Sequence, residues 1–405
     1  NVVLLYSQDV DYYSCFERYD SIKCFDTNGV EKINSFVGGL NFVQFSAIDL
    51  NGDWEKDLVM FDRTGNRLLT FLREVNGKYY YRYDCSYEKY FPDVHDWILL
   101  RDYDGDGRED IFSYSFGGCS VYRNERKAGG ALEFREICPL LLSDYGSNKI
   151  NLFINAVDIP AIGDVDGDGD LDILVFHILG GYIQYHRNMS IERYGVKDSL
   201  DYIIYDKCWG KVKEGSEDNK LTMNSDCIFK SDEFFKSMGE ELHSGSTTTL
   251  VDIDCDGLQD LLVGDVDYGD IFLLRNGGSK DDAMIVEVDT VFPSERERIK
   301  LYSNPAVYMI DVDGDGKEDM LVSANDGIAG KNERRILYYR DTSEMCSKGY
   351  KLCDSMFLLR TMFDFGEGSY PVFYDYNGDG MKDIVIGNYG YYRSSYYYYG
   401  YLKSN

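Results

Sequence analysis

Residues 162–176 read IGDVDGDGDLDILVF, and this run decides how the chain is built. Asp164, Asp166 and Asp168 alternate with single residues, Gly167 and Gly169 let the backbone curl, and Asp172 closes the run before the apolar segment from Ile173 to Phe176. Carboxylates at alternate positions of a curled backbone bring hard oxygens round one point and so ask for a cation. Calcium takes about 6 to 8 oxygens at roughly 2.3–2.6 Å and tolerates an irregular cage, whereas magnesium wants a stricter octahedron and keeps its waters.

The pattern recurs five more times with the same offsets. Asp49, Asn51, Asp53 and Asp57 form the first copy, and Asp102, Asp104, Asp106 and Asp110 the second. Asp252, Asp254, Asp256 and Asp260 form the fourth, Asp311, Asp313, Asp315 and Asp319 the fifth, and Asp375, Asn377, Asp379 and Asp383 the sixth. One copy would be a weak signal; six at a fixed spacing are not solvated acidic turns. An EF-hand needs a bidentate Glu at about its twelfth position and a helix on each side. Here the last acid is at the ninth, and extended apolar segments flank it, such as Val307-Tyr308-Met309-Ile310 before and Met320-Leu321-Val322 after. Each loop therefore joins two strands.

Successive first aspartates lie 53, 62, 88, 59 and 64 residues apart. Periods of roughly 40 to 60 residues with four strands per unit belong to β-propellers, whose blades bury their faces against one another. The residues resemble the FG-GAP or VCBS family of repeats, known from the integrin α-subunit propeller and from secreted bacterial proteins. The apolar-Gly element that follows the loop in that family is present as Val263-Gly264-Asp265 and Ile386-Gly387-Asn388. The resemblance covers residues 42–405, and the opening GGLNFVQFSAIDLNGD is similar to large exported surface proteins of Gram-negative bacteria that use type IX secretion. It implies an all-β propeller of four-stranded antiparallel blades binding up to six calcium ions through the 24 side chains named above. It also implies a backbone carbonyl ligand from the seventh residue of each loop, where Glu55, Arg108, Asp170, Leu258, Lys317 and Met381 share only their backbone. Copy one, with Asn51 and with Trp54 where the others have Gly, should be the weakest site.

Six blades are recognisable. After Asp383 only 22 residues remain, enough for a second strand and a third within residues 396–403. Residues 1–41 could supply the missing fourth strand from Val2 to Tyr6 or from Ser21 to Phe25. Similar family members continue into a further calcium repeat, which implies a seven-bladed ring in a longer protein. Between His186 and Ser244 a polar stretch, about 188–245, reads as an insertion on one rim, and rim loops on a rigid scaffold are where binding resides. The last residues are dense in tyrosine (Tyr389, Tyr391, Tyr392, Tyr396 to Tyr399 and Tyr401), which suits an outer strand or a platform for a ligand.

The formal net charge of −29 argues against nucleic acid and against an anionic membrane. Twenty-two of the 71 acidic residues stand at the four motif positions of the loops, so six dications would still leave the chain acidic. No stretch reaches the roughly 18 apolar residues of a membrane span. The ten cysteines suggest local bridges, Cys15–Cys24, Cys119–Cys138, Cys208–Cys227 and Cys346–Cys353, with Cys85 and Cys255 left over. No Cys-x-x-Cys occurs, and His95, His177, His186 and His243 lie apart from the cysteines, which disfavours zinc. Disulfides and calcium both point outside the cytoplasm.

Catalytic signatures are absent: there is no GxSxG, HExxH, phosphate loop or dinucleotide fingerprint. His177 and His186 read as satisfied strand residues. The expectation is a secreted or cell-surface calcium-binding propeller that acts as a binding or adhesion module for protein or glycan, with other surface or export-machinery proteins as further partners. The competing class is a carbohydrate-active enzyme, a lyase or glycosidase, which would show a deep acidic or His-containing pocket away from the metal loops.

Overall fold

The computed structural model describes residues 22–75, 79–178, 180–215, 221–225, 246–266, 268–301, 304–325, 334–344, 348–366, 368–388, 391–394 and 397–399. The chain is all-β, and five four-stranded antiparallel blades surround a common axis. Blade one is β1 (Val43–Ile48), β2 (Asp57–Asp62), β3 (Arg67–Val75) and β4 (Tyr79–Tyr83), hydrogen-bonded in chain order. Blade two is β5 (Ile98–Arg101), β6 (Asp110–Ser115), β7 (Gly118–Asn124) and β8 (Phe134–Cys138). Two short strands, β9 (Leu142–Asp144) and β10 (Lys149–Asn151), extend the outer edge of the third sheet. Blade three itself is β11 (Ala161–Gly163), β12 (Asp172–Phe176) and β13 (Ile183–Asn188), then a one-turn helix α1 (Ser190–Tyr194), then β14 (Tyr202–Asp206). A small hairpin, β15 (Val212–Glu214) and β16 (Leu221–Met223), precedes blade four. That blade is β17 (Ser246–Val251), β18 (Asp260–Asp265), β19 (Ile271–Asn276) and β20 (Ile285–Asp289). Blade five is β21 (Pro305–Ile310), β22 (Asp319–Ala324), β23 (Ile336–Asp341) and β24 (Tyr350–Asp354).

The second strands explain the packing. DLVMFD in β2, DILVF in β12, DLLVGD in β18 and DMLVSA in β22 are buried at every residue, because a blade interior is covered on both faces by its neighbours. Outer strands are more open instead; in β20 only Ile285 is buried. At Gly264 a Cβ would meet the Pro305 carbonyl oxygen at 1.9 Å, so the apolar-Gly element lets blades four and five approach closely.

The ring closes at five blades, not six or seven. Each blade reaches back to the loop of the one before. Arg126 donates to the Asp49 carbonyl at 2.9 Å, Lys197 crowds Gly105, Lys280 crowds Gly167, and the Lys348 N–H donates to the Ile253 carbonyl at 3.0 Å. The same contact carries blade one onto loop five, where Arg73 bonds the Asp311 and Val312 carbonyls. Ser323 also donates to the Val43 carbonyl, and Phe45 packs edge-on to Tyr308 at 5.6 Å between ring centroids.

The segment before blade one seals this junction. Asn34 donates to the Tyr81 carbonyl at 3.1 Å, its own N–H bonds the Thr361 carbonyl at 3.0 Å, and Val37 and Leu40 join a core with Leu358, Leu359 and Met362. The closing role expected of the N-terminal segment is therefore played against blade one. Val2 to Tyr6 and Ser21 lie outside the described residues. The sixth motif sits on a separate hairpin, β25 (Tyr370–Tyr374) with β26 (Asp383–Gly387), in which every residue of β25 is exposed. The tyrosine-rich end pairs with itself as β27 (Tyr391–Ser394) and β28 (Tyr397–Tyr399), not as a third strand beside β26. Much of the 188–245 insertion lies outside the described residues.

Cys24, Cys119, Cys138 and Cys353 carry free thiols, so three expected bridges are not formed. For Cys119 the reason is register: Cys138 stands opposite Val121, whereas the Cys119 carbonyl is bonded by the Leu141 N–H. Cys15 and Cys346 lie outside the described residues. Cys208 is disulfide-bonded, and Cys227 too lies outside them.

Candidate metal centre

Six loops, one between the first two strands of each blade and one in the β25–β26 hairpin, repeat a single hydrogen-bond frame. The ninth-position carboxylate opens the second strand, and its Oδ2 accepts from the N–H of the second loop residue. The pairs are Leu50 to Asp57, Tyr103 to Asp110, Val165 to Asp172, Ile253 to Asp260, Val312 to Asp319 and Tyr376 to Asp383, at 2.8 to 3.2 Å. In the five blades its Oδ1 accepts from the third strand, through the N–H of Arg73, Asn124, Asn188, Asn276 or Asp341 at 2.7 to 2.8 Å. The fifth-position carboxylate accepts from the seventh-residue N–H in all six loops, at 2.8 to 3.0 Å. The first-position carboxylate turns the chain by accepting from the fourth-residue N–H of Gly52, Gly105, Gly167, Gly314 or Gly378 at 2.6 to 2.8 Å.

The fourth position has positive φ in every loop, and at its five glycines φ runs from 74° at Gly105 to 86° at Gly52, which explains the glycines. Loop four puts Cys255 there at 58°, and its Asp252 accepts from the Asp256 and Gly257 N–H groups at 3.2 and 3.1 Å. Trp54 at φ 73° likewise occupies a sixth position that is glycine in the other loops.

This frame gathers the side chains that the offsets single out. Asp102, Asp104 and Asp110 bring ligand oxygens within 4.8 Å of one another, as do Asp164, Asp166 and Asp172, then Asp252, Asp254 and Asp260, then Asp311, Asp313 and Asp315. In loops one and six the third-position amide instead donates to the fifth acid, Asn51 to Asp53 at 2.8 Å and Asn377 to Asp379 at 2.9 Å. The donor set is all oxygen, with no nitrogen or sulfur ligand, and suits a hard dication such as calcium. A hydrogen-bonded carboxylate oxygen still has a lone pair for a metal.

Without a cation the burial is costly to the ionised acids. It lifts Asp172 to about 8 and Asp110 to about 7, against the opposing backbone hydrogen bonds. Asp57, Asp260 and Asp319 rise to about 6, again chiefly through burial. Clustered carboxylates add to the rise.

Sequence reading missed the counter-charges. Arg123 pairs with Asp104 at 2.6 Å, Arg187 with Asp166, Arg275 with Asp254 at 3.5 Å and Arg340 with Asp313 at 2.5 Å. Each arginine lies one step past a recorded β pair and faces the ninth-position Asp, as Arg123 does beyond Ile111 opposite Tyr122. In blade one that place falls to Leu72, and there the third position is the neutral Asn51. Sequence reading also missed Glu192 of α1, which forms a second acidic group with Asp166 and Asp168, and the buried side chain of Asp170.

A cavity of about 560 Å³ opens on the axis between the five innermost strands. Its charged lining includes Arg101, Glu109, Glu318 and Lys348, together with Asp102 and Asp252 of the acidic loops. Burial pushes the Arg101 guanidinium down, and it bridges blades by donating to the Ile162 carbonyl at 3.3 Å. His186 is fully buried, with its Nδ1 2.8 Å from the Ser143 hydroxyl, and desolvation lowers it to about 3; its buried Nε2 has no hydrogen-bond partner among the described residues, so only one ring nitrogen meets the expectation of a satisfied strand residue.

No curated protein matches the chain. Among solved structures, an Agrocybe aegerita lectin described as recognising non-reducing terminal N-acetylglucosamine is 16% identical with a TM-score of 0.34, over 86% of this chain and 75% of that one. Residues 102–175, which run from the second acidic loop through the third, match the model of the FG-GAP-like repeat family within this β-propeller.

Proposed function

We propose that this propeller is a calcium-binding protein of the cell surface or the extracellular space and serves as a binding or adhesion module for protein or glycan. The observation that carries it is the loop frame: six copies, one hydrogen-bond pattern, all-oxygen donors and buried carboxylates that a dication would keep ionised. Extracellular calcium is abundant enough to fill sites of modest affinity, and the disulfide at Cys208 suits an oxidising compartment. Calcium here is structural. It holds strand ends whose acids otherwise repel, and so keeps the rim rigid for a partner. The net charge of −29 directs the choice of partner away from nucleic acid. No helix among the described residues is long and apolar enough to cross a membrane.

The reading is non-catalytic. The axial cavity carries acids, but two of them are loop ligands and the guanidinium among them is engaged with backbone. The test is a glycan and surface-protein binding screen run with calcium and with chelator, beside metal analysis of undialysed protein. Fewer than about four calcium ions per chain would overturn the metal reading. Hydrolysis or elimination of a polysaccharide at a rate that survives chelation would favour the enzyme.

A further inference from the structure

A pocket of about 480 Å³ lies between loop one and the turn that joins β7 to β8 in blade two, a size that takes a residue or two of a larger ligand. Trp54 lines it with 86% of its surface exposed, whereas Trp97 and Trp209, the other tryptophans of the chain, are buried. We propose that this pocket binds an acidic sugar residue of a glycan, with the Trp54 indole as its platform and spare guanidinium N–H groups of Arg108 and Arg126 as donors to its carboxylate or sulfate. The assignment rests on the binding-module reading and gives it a ligand class and a site.

Trp54 is not explained by the fold. Its φ of 73° lies in the left-handed region, which a bulky side chain enters only at an energetic cost. The five sister loops meet the same turn with glycine, at Gly107, Gly169, Gly257, Gly316 and Gly380. The exposed ring buries little in return, and strain kept without a gain in packing marks functional positions. Its backbone N–H donates to Asp49 at 3.1 Å, so the indole is carried on a closed loop. An indole offers a flat apolar face with one polar N–H at its edge, which suits a pyranose ring with C–H groups on its face and hydroxyls round its rim. At Gly107 and Gly129, also on the lining, a Cβ would meet nothing within 4 Å, so the backbone there is open to a ligand.

The charges select the kind of sugar. The chain has 71 acidic residues against 42 basic ones, yet the pocket sets four cations against three acids. Lys56 and Glu109 pair with each other, which leaves Arg108, Arg126 and Lys127 against Asp49 and Asp106. Those two acids are loop residues, engaged by the N–H groups of Gly52 at 2.6 Å and of Arg108 at 2.9 Å. The Arg126 side chain is only 12% exposed and lies 3.8 Å from the Asp49 carboxylate. Its Nε donates to the Gly130 carbonyl and its Nη1 to the Asp49 carbonyl, both at 2.9 Å, and its Nη2 makes no hydrogen bond among the described residues. Arg108 donates from Nε to the Asn124 carbonyl at 3.1 Å and pairs through Nη2 with Asp106, which leaves Nη1. Two guanidinium groups fixed by backbone carbonyls, each with a donor to spare, suit a planar or multi-oxygen anion. Lys127 is exposed and forms no ion pair among the described residues.

The experiment titrates the full chain, in calcium, with a tetragalacturonate, a sulfated heparin-derived tetrasaccharide and neutral maltotetraose, read by isothermal titration and tryptophan emission. Because Trp97 and Trp209 are buried, acrylamide quenching reports Trp54. An acidic probe should shift that emission, protect it from acrylamide and bind about tenfold or more above maltotetraose; the two acidic arms tell carboxylate from sulfate. Trp54→Gly should lose about tenfold or more in affinity while its melting temperature equals or exceeds the parent's. Lys127→Glu, a change at an exposed side chain, should weaken the acidic probe severalfold. Equal affinity for maltotetraose would overturn the acidic class. An acidic probe that binds parent and Trp54→Gly alike would overturn the site and leave the binding-module reading standing. A parent that binds none of the three overturns the assignment, and the surface-protein arm of the wider screen then decides that reading separately.

Discussion

Replacing Asp172 by Asn separates what the carboxylate costs from what the metal returns. Asp172 is wholly buried; its Oδ1 accepts from the Asn188 N–H at 2.8 Å, and its Oδ2 from the Val165 N–H at 3.0 Å and the Tyr185 hydroxyl at 2.9 Å. In chelator at pH 7 the folded chain holds this group protonated, since burial lifts it to about 8 from an ordinary 3.8. The unfolded chain releases that proton. At about 1.36 kcal/mol per pH unit, the distance from 3.8 to 7 costs the folded state roughly 4 kcal/mol. An amide escapes this cost but leaves one backbone N–H facing its NH2, a loss of about 1–3 kcal/mol. The variant should therefore be more stable than the parent in chelator at pH 7, by roughly 1–3 kcal/mol, or a few degrees at most in melting temperature for a chain of this size. Calcium reverses the order. A site filled at about 100 times its dissociation constant adds roughly 2.7 kcal/mol, and the variant forfeits that. Thermal melts in chelator and in calcium, at pH 4 and pH 7, provide the assay. At pH 4 the advantage in chelator should shrink, because the unfolded chain is by then partly protonated and folding takes up only part of a proton. Equal destabilisation in chelator and in calcium would refute the reasoning.

Other outcomes follow from the same loops. Asp57, Asp110, Asp172, Asp260 and Asp319 all have folded-state values above 3.8, so the folded state binds more protons than the unfolded between about pH 4 and pH 8. The chelated protein should lose stability as pH rises through that window, and calcium affinity should fall as pH drops through it; flat calorimetric profiles would contradict this. Arg123→Leu should destabilise the chelated protein by about 1–3 kcal/mol, because it strands the nearly buried Asp104, and by less once calcium is present. Denaturant melts in the two conditions decide that. Cys255→Gly and Trp54→Gly should each stabilise by about 1 kcal/mol by relieving positive φ, which thermal denaturation would show as a rise in both cases. A chain ended at Gly366 should keep the melting temperature of the full chain in chelator, because the exposed β25–β26 hairpin lies outside the closed ring. A large drop would mean that the hairpin is part of the packed fold.

What was legible in the sequence was whatever one strand pair dictates for itself. The offsets 0, 2, 4 and 8 follow from a loop closed by its own backbone N–H groups, so the gathered acids could be read by counting, and the turn glycines and flanking strands came with them. The arginines could not be counted. From third-position Asp to paired Arg the separation is 19 residues in blade two, 21 in blades three and four and 27 in blade five, because the hairpin between second and third strands varies while the β register does not. Glu192 was hidden for the same reason: it reaches loop three only once β13 has folded back on β12. Blade number lay further still from the local pattern. Six motifs promised at least six blades, yet closure is decided by whether blade one fits blade five, through Arg73 on Asp311, Ser323 on Val43 and a seam filled by Val37 and Leu40. None of these contacts has a spacing that repeats. The sixth loop folds into the same hydrogen-bond frame with β25 fully exposed. The loop is therefore a unit that needs only its own hairpin, and its recurrence counts loops and not blades.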